Sequence, residues 1–247
     1  MSDRMGQVGL VTGGANGIGR ATAFALSRLG VSLIVADRDR TAGAGVAEAI
    51  RAAGGEAHFI EADISRSEDC ERIVDAARTR FGRLDIAVNN AAIIGAFAPL
   101  ADHPISAWHE TLGVNLSGTF FCLRAELPLM LESGGGSIVN VTSIAGLIAT
   151  PNQGAYVAAK HGVVGLTRTV CAEYGARGVR CNAIAPGATE TAMLPGGIIS
   201  DEFRSALPAG RPGKPEEIAE AIVWLCSPAA SYVNGVCFPV DGGYLGR

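Results

Sequence analysis

An open, doubly wound α/β sheet of about seven parallel strands, with helices on both faces, is the fold this sequence predicts. Short apolar runs alternate with longer stretches of helical period, the pattern of strand–helix–strand units. A glycine-rich turn, Thr12-Gly-Gly-Ala-Asn-Gly-Ile-Gly19, separates the first apolar run from the first helical stretch, and Asp37 closes the second apolar run.

Taken in order, residues 7–11 (QVGLV) read as the first strand, 18–29 as a helix that Gly30 stops, and 32–36 (SLIVA) as the second strand. Helical stretches at 41–53 and 67–81 flank a third strand at 57–61 (AHFIE). Strand four is expected at 84–88 (LDIAV), one long helix over 103–131, and strand five at 137–141 (SIVNV). A helix at 154–174, a strand at 179–184, a helix at 215–225 and a last strand at 236–240 complete the pattern. No repeat, low-complexity tract or linker interrupts it, so a single domain over 1–247 is the simplest division. Residues 186–215 differ in texture, being dense in Gly, Pro, Ser and Thr around Met193, Leu194, Ile198, Ile199 and Phe203. Irregular chain of this length inside a compact fold is usually functional, and a substrate lid at about 187–214 is expected.

A chain of 247 residues can bury a large core, and 48% of its residues are hydrophobic, with a mean hydropathy of +0.28. Net charge is −4 and the pI is near 5.6, with no Lys/Arg run, which argues against a nucleic-acid partner. No stretch reaches the ~18–20 unbroken apolar residues of a membrane span. The opening Met-Ser-Asp-Arg-Met-Gly shows no charged segment leading an apolar one. A soluble, cytoplasmic protein without a membrane partner is expected. Cys70, Cys122, Cys171, Cys181, Cys226 and Cys237 form no CxxC pair, and His58, His103, His109 and His161 are equally dispersed, so no metal site is expected.

The glycines at 13, 14, 17 and 19 would let backbone approach a pyrophosphate, while the helix they open offers free N–H groups and the positive end of its dipole. The spacing is GxxxGxG, not GxGxxG. Some 20 residues on, the Asp37 carboxylate is placed to accept bonds from both ribose hydroxyls of a dinucleotide. A 2′-phosphate there would meet like charge, which favours NAD over NADP, although Arg38 follows at once and partly offsets the repulsion. Asp63 closes the third strand and Asn89-Asn90-Ala91 the fourth, at the carboxyl edge where ligands bind in such sheets; either could instead cap a helix or turn.

Tyr156 and Lys160 stand four residues apart in an expected helix, with Cβ atoms about 5–6 Å apart, so the ammonium can stabilise a phenolate. At an effective dielectric near 20 the attraction is ~4 kcal/mol before desolvation, enough to bring a tyrosine from ~10 towards ~7. A group titrating there works well as a general acid or base.

Taken together, these motifs resemble the short-chain dehydrogenase/reductase family over nearly the whole chain. TGGANGIG at 12–19 is similar to its cofactor loop, and Asn89-Asn90-Ala91-Ala92 to its NNAG signature, with alanine in the last place. Asn115, Ser143, Tyr156 and Lys160 match its catalytic tetrad, and Pro186-Gly187 followed by Thr191 its nicotinamide-contacting segment. The resemblance implies a Rossmann-type fold and an NAD(P)-dependent oxidoreductase. Ser143 would hold the substrate oxygen and Tyr156 would move the proton. Lys160 would lower the tyrosine pKa and bind the nicotinamide ribose, and Asn115 would anchor a water that passes protons to solvent. It also implies cofactor contacts at Gly13, Asn16, Gly17, Ile18, Gly19, Asp37, Arg38, Asp63, Ile64, Asn90, Ala91, Ala92, Pro186, Gly187, Thr189 and Thr191.

For the substrate, Ser143, Tyr156, Ile144, Phe97, Met193 and Leu194 are the expected contacts, with Leu147 and Ile148 nearby. Their apolar character suggests a compact secondary alcohol or ketone, and no arginine cluster offers a carboxylate or phosphate clamp. The helix at 154–174 carries Val157, Ala158, Val163, Val164, Leu166, Val170 and Cys171 around much of its circumference, which calls for cover on more than one side. A homotetramer, as the resemblance implies, would supply it, and residues 236–243 read as a buried strand and turn near an interface. Competing functions are an NADPH-dependent ketoreductase of the acyl-carrier-protein type and a non-catalytic dinucleotide sensor. A dehydratase or epimerase on the same scaffold is a further possibility.

Overall fold

In the computed structural model the described residues are 6–193 and 207–246. Seven strands form one sheet: β1 Val8–Thr12, β2 Ser32–Asp37, β3 Ala57–Glu61, β4 Ile86–Asn89, β5 Gly136–Val141, β6 Val179–Pro186 and β7 Cys237–Val240. Every pairing is parallel, in the order β3-β2-β1-β4-β5-β6-β7. After β1 the chain builds outward through β2 and β3, then returns to lay β4 on the other side of β1. The order therefore reverses between β1 and β4, and the crevice at their carboxyl ends is where such sheets bind ligands.

The helices follow from the pattern of buried positions: α1 Gly17–Ser27, α2 Arg40–Ala52, α3 Ser67–Phe81, α4 Ile105–Leu112, α5 Gly118–Glu132, α6 Gly154–Tyr174 and α7 Pro215–Leu225. Their ends have local causes. Asp39 caps α2 by accepting from the Ala42 amide at 2.9 Å, and Gly82, in the left-handed region at φ 73°, ends α3. Central strands β1, β4 and β5 are buried nearly throughout, and the core divides into two apolar clusters, one per face of the sheet. Among the described residues no helix is long and apolar enough to cross a membrane.

One expectation needs correction. The single helix over 103–131 is instead α4, a π-helical segment Gly113–Ser117 and α5, because an extra residue at Asn115 widens the turn. The last strand, β7, lies at the edge of the sheet, with Phe238 and Pro239 exposed in the single chain and Phe238 beside Trp224 at 5.7 Å between ring centroids. In the expected lid, residues 194–206, with Leu194, Ile198, Ile199 and Phe203, lie outside the described residues. Its two ends are clasped by a parallel bridge between Thr189 and Gly213.

A polar chain runs through the interior between β4 and β5. Asn89 Nδ2 donates to Glu126 Oε2 at 3.1 Å and to Asn140 Oδ1 at 3.0 Å, and Asn140 Nδ2 donates to Thr167 Oγ1 at 2.9 Å. Glu126 Oε1 and Asn89 Oδ1 are enclosed without a partner, and burial pushes the Glu126 carboxyl up to about 7. A proton on Oε1 directed at Asn89 Oδ1 would close an acid–amide ring and satisfy both atoms.

Candidate active site

The turn between β1 and α1 is a cradle that only glycine can form. Gly13 and Gly17 adopt φ of 63° and 52°, and a Cβ on Gly13 would stand 2.7 Å from Asn90 Nδ2. A Cβ on Gly19 would overlap the carbonyl oxygen of Gly13. Asn16, the residue before α1, makes no side-chain cap, so the first amides of the helix face outward for an anion. Thr12 and Asn90 brace the turn from below. Thr12 Oγ1 accepts from the amides of Asn90 and Ala91 at 3.0 and 3.2 Å, while Asn90 Nδ2 donates to the carbonyls of Thr12 and Gly13, both at 3.0 Å. Asp37 holds the outer wall, its two oxygens accepting from the amides of Ala15 and Asp39 at 3.0 Å each. These residues fit a dinucleotide: open amides, a backbone floor no side chain obstructs, and a carboxylate at the end of β2.

At the end of β5 lies Ser143, and α6 brings Tyr156 and Lys160 against it. Close approach needs Gly146, where a Cβ would stand 2.9 Å from the Lys160 carbonyl oxygen, and Thr142, whose Oγ1 donates to that oxygen at 2.9 Å. The Ser143 hydroxyl, which accepts from the Ala145 amide at 3.1 Å, lies near enough to the Tyr156 hydroxyl to lower its pKa. Lys160 Nζ donates to the Val141 carbonyl at 2.9 Å and stands 5.6 Å from the centre of the Tyr156 ring. Both side chains are buried, Tyr156 at 8% and Lys160 at 2% exposure.

Burial works against the expected lowering of Tyr156 by Lys160. It pushes Tyr156 up to about 12, with Ser143 acting the other way, and pushes Lys160 down to about 8, because each charged form has lost its water.

Asn115 sits in the π segment with both ends of its side-chain amide engaged: Oδ1 accepts from the Ile93 amide and Nδ2 donates to the Ile93 carbonyl, both at 2.8 Å. It fixes the loop after β4, and α6 packs over this segment where a Cβ on Gly162 would meet Leu116. Asp63 Oδ1 accepts from Ser65 N and Oγ at 2.9 and 2.8 Å, while Ile64 is buried. Arg38 is exposed. Ala92 is absent from the positive-φ residues, so alanine serves there without strain. Thr191 reaches the cradle, its Cγ2 lying 3.1 Å from where a Gly17 Cβ would be. Pro186 ends β6, the Gly187 amide donates to the Val240 carbonyl at 3.0 Å, and Thr189 Oγ1 donates to the Gly187 carbonyl at 3.0 Å. Ile144 is half-buried, and Phe97 and Met193 are exposed at 52% and 38%. Sequence reasoning missed the bracing roles of Thr12 and Thr142 and the buried Glu126. The last had a visible signal, one carboxylate in the apolar stretch Phe120-Phe-Cys-Leu-Arg-Ala-Glu-Leu-Pro-Leu-Met-Leu131.

A cradle of this form at the switch point, with a half-buried serine and a buried tyrosine and lysine brought together after β5 of the same sheet, defines a nicotinamide-dependent oxidoreductase of the α/β class. A family model described as enoyl-(acyl carrier protein) reductase matches residues 13–245. The chain belongs to the short-chain dehydrogenase/reductase family. It is 44% identical over 250 residues to a 2,5-dichloro-2,5-cyclohexadiene-1,4-diol dehydrogenase of Sphingobium indicum, covering 99% of both chains. It is 40% identical to a cyclohexanol dehydrogenase of an Acinetobacter species, covering 98% of this chain and 96% of that one. Among solved structures, levodione reductase superposes with a TM-score of 0.93 at 38% identity, covering 97% of each chain.

Proposed function

We propose that this protein is an NAD-dependent dehydrogenase of compact, mostly apolar cyclic secondary alcohols, acting reversibly on the matching ketones. The observation that carries this reading is the buried Tyr156, with Lys160 Nζ 5.6 Å from its ring centre and Ser143 near its hydroxyl, in a sheet whose first strand ends in the glycine cradle. The relatives named for cyclohexanol and for a cyclohexadiene diol support the substrate class.

Gly13, Asn16, Gly17, Ile18 and Gly19 would hold the pyrophosphate, and Asp37, Arg38, Asp63 and Ile64 the adenosine side. Asn90, Ala91, Ala92, Pro186, Gly187, Thr189 and Thr191, with Tyr156 and Lys160, would hold the nicotinamide half. When bound, the nicotinamide supplies the acceptor or donor of hydride at its C4. Tyr156 takes the alcohol proton, or returns it to a ketone oxygen, and Ser143 donates to that same oxygen so that developing negative charge is stabilised. Lys160, an ammonium below about pH 8, favours the phenolate during transfer and can donate to a ribose hydroxyl. Asn115 holds the Ile93 loop beside these groups. Asp37 favours NAD through like-charge repulsion of a 2′-phosphate. The exposed Arg38 beside it is the observation that supports the second reading, an NADPH-dependent ketoreductase. A sensor without catalysis would have no use for Ser143, Tyr156 and Lys160 brought together in one buried site.

We also propose a homotetramer: Phe120, Trp224 and Phe238 are exposed at 47%, 37% and 37%, apolar surface that further copies of the chain would cover. The cytoplasm is the proposed compartment, since the six cysteines are scattered without the regular spacing of a disulfide framework. The deciding experiment mixes protein, NAD or NADP, and cyclohexanol and follows the absorbance of reduced cofactor. Turnover with NAD supports the reading, and the absence of turnover with any cyclic alcohol would refute it.

A further inference from the structure

The chain holds the dipeptide Asn-Gly twice, at Asn16-Gly17 in the cradle and at Asn234-Gly235 before β7, and the fold treats the two oppositely. At the second, both groups are tied to one residue of β6. Asn234 Oδ1 accepts from the Cys181 amide at 2.8 Å, and the Gly235 amide donates to the Cys181 carbonyl at 2.9 Å. Asn16 is exposed, and its side chain has no hydrogen-bond partner among the described residues. Its backbone is extended, at φ −142° and ψ 168°. Gly17 opens α1, so its amide has no carbonyl within the helix to donate to. With φ at 52° and no Cβ, nothing on Gly17 itself shields that nitrogen.

We propose that Asn16 is a self-modification site, where the unliganded protein deamidates and so closes its own cradle to the dinucleotide. The Gly17 nitrogen, giving up its proton, attacks Asn16 Cγ. The new C–N bond displaces Nδ2 as ammonia, which carries that proton away, and leaves a five-membered imide. Water then opens the ring at either carbonyl, giving aspartate or isoaspartate. Aspartate puts a negative charge at the mouth of an anion site, where a pyrophosphate meets like charge. Isoaspartate adds a main-chain carbon immediately before α1, in a turn so close that a Cβ on Gly19 would already overlap the Gly13 carbonyl. A pyrophosphate held by the amides of this turn would engage the attacking group and exclude water, so bound cofactor protects the residue. The inference rests on the reading of this turn as the dinucleotide site.

The test ages the full chain for weeks in mildly alkaline buffer at physiological temperature, with and without saturating NAD. Peptide mass mapping follows both asparagines, and calorimetry follows the affinity for NAD. Asn16 should convert at least about tenfold faster than Asn234, the factor set by opening the two hydrogen bonds that hold the latter site. Saturating NAD should suppress that conversion, and both the aged protein and Asn16→Asp should bind NAD at least about tenfold more weakly than fresh protein. Equal rates at the two asparagines, no protection by NAD, or unchanged affinity in Asn16→Asp would each overturn the inference and leave the dehydrogenase reading standing. Fresh protein that binds neither NAD nor NADP overturns both. If Asn16→Asp lacks a cooperative thermal transition, the affinity of the aged wild type decides.

Discussion

Replacing Glu126 by glutamine should make this protein more stable above neutral pH. Glu126 is fully buried, and its carboxyl is raised from 4.5 to about 7, first by desolvation, with the Asn89 hydrogen bond acting the other way. The unfolded chain gives up this proton near 4.5 and the folded chain only near 7. Between those values the folded state holds the extra proton, so its stability falls as pH rises, and above the folded value the loss is complete and constant. A displacement of that size corresponds to about 3 kcal/mol. In Glu126→Gln the amide can donate to Asn89 Oδ1 and accept from Asn89 Nδ2, which preserves the ring and removes the ionisation. Thermal unfolding from pH 5 to 8.5 should therefore show wild type and variant close together at the acid end. They should diverge by about 6–12 °C at the alkaline end, at about 2–4 °C per kcal/mol for a chain of this size. Cys122 and Cys181 both lie near enough to feel the Glu126 charge, but the Cys70 hydrogen bond and burial hold the Cys122 thiol up, and burial the Cys181 thiol, so the difference between the two curves isolates the carboxyl. Parallel curves, or a variant less stable at pH 8, would refute the neutral acid–amide pair.

Tyr156→Phe should lower kcat by about a thousandfold while circular dichroism stays unchanged, because the proton-moving group is lost and the aromatic packing is kept. Since burial raises Tyr156 to about 12, alcohol oxidation should climb steadily with pH above neutrality. Ser143→Ala, lacking the hydrogen bond that lowers the tyrosine, should push the rise further into the alkaline range; a flat kcat/KM profile would contradict this. Asp37→Asn removes the charge that a 2′-phosphate would meet, and should raise the NADP-to-NAD ratio of kcat/KM about tenfold in side-by-side titrations. Asn115→Ala strands the amide and carbonyl of Ile93, at about 1–3 kcal/mol each, so denaturant unfolding should show a stability loss of roughly 2–6 kcal/mol.

The alternation of apolar runs and helical stretches determined the sheet, and the elements at 57–61, 67–81, 154–174 and 215–225 needed no adjustment, because burial on both faces writes a strong local pattern. The glycine turn, Asp37 at the end of β2 and the four-residue spacing of Tyr156 and Lys160 were legible for the same reason: each is local along the chain. What sequence could not supply was the outcome of competitions between distant segments. The π turn at Asn115 exists because its side chain, 22 residues away in sequence, takes both backbone groups of Ile93. The edge position of β7 depends on how the sheet is ordered. The same holds for charge. Spacing put an ammonium beside a phenol and so suggested attraction, but only the packed interior decides how much water each has lost, and that burial pushes Tyr156 up and Lys160 down.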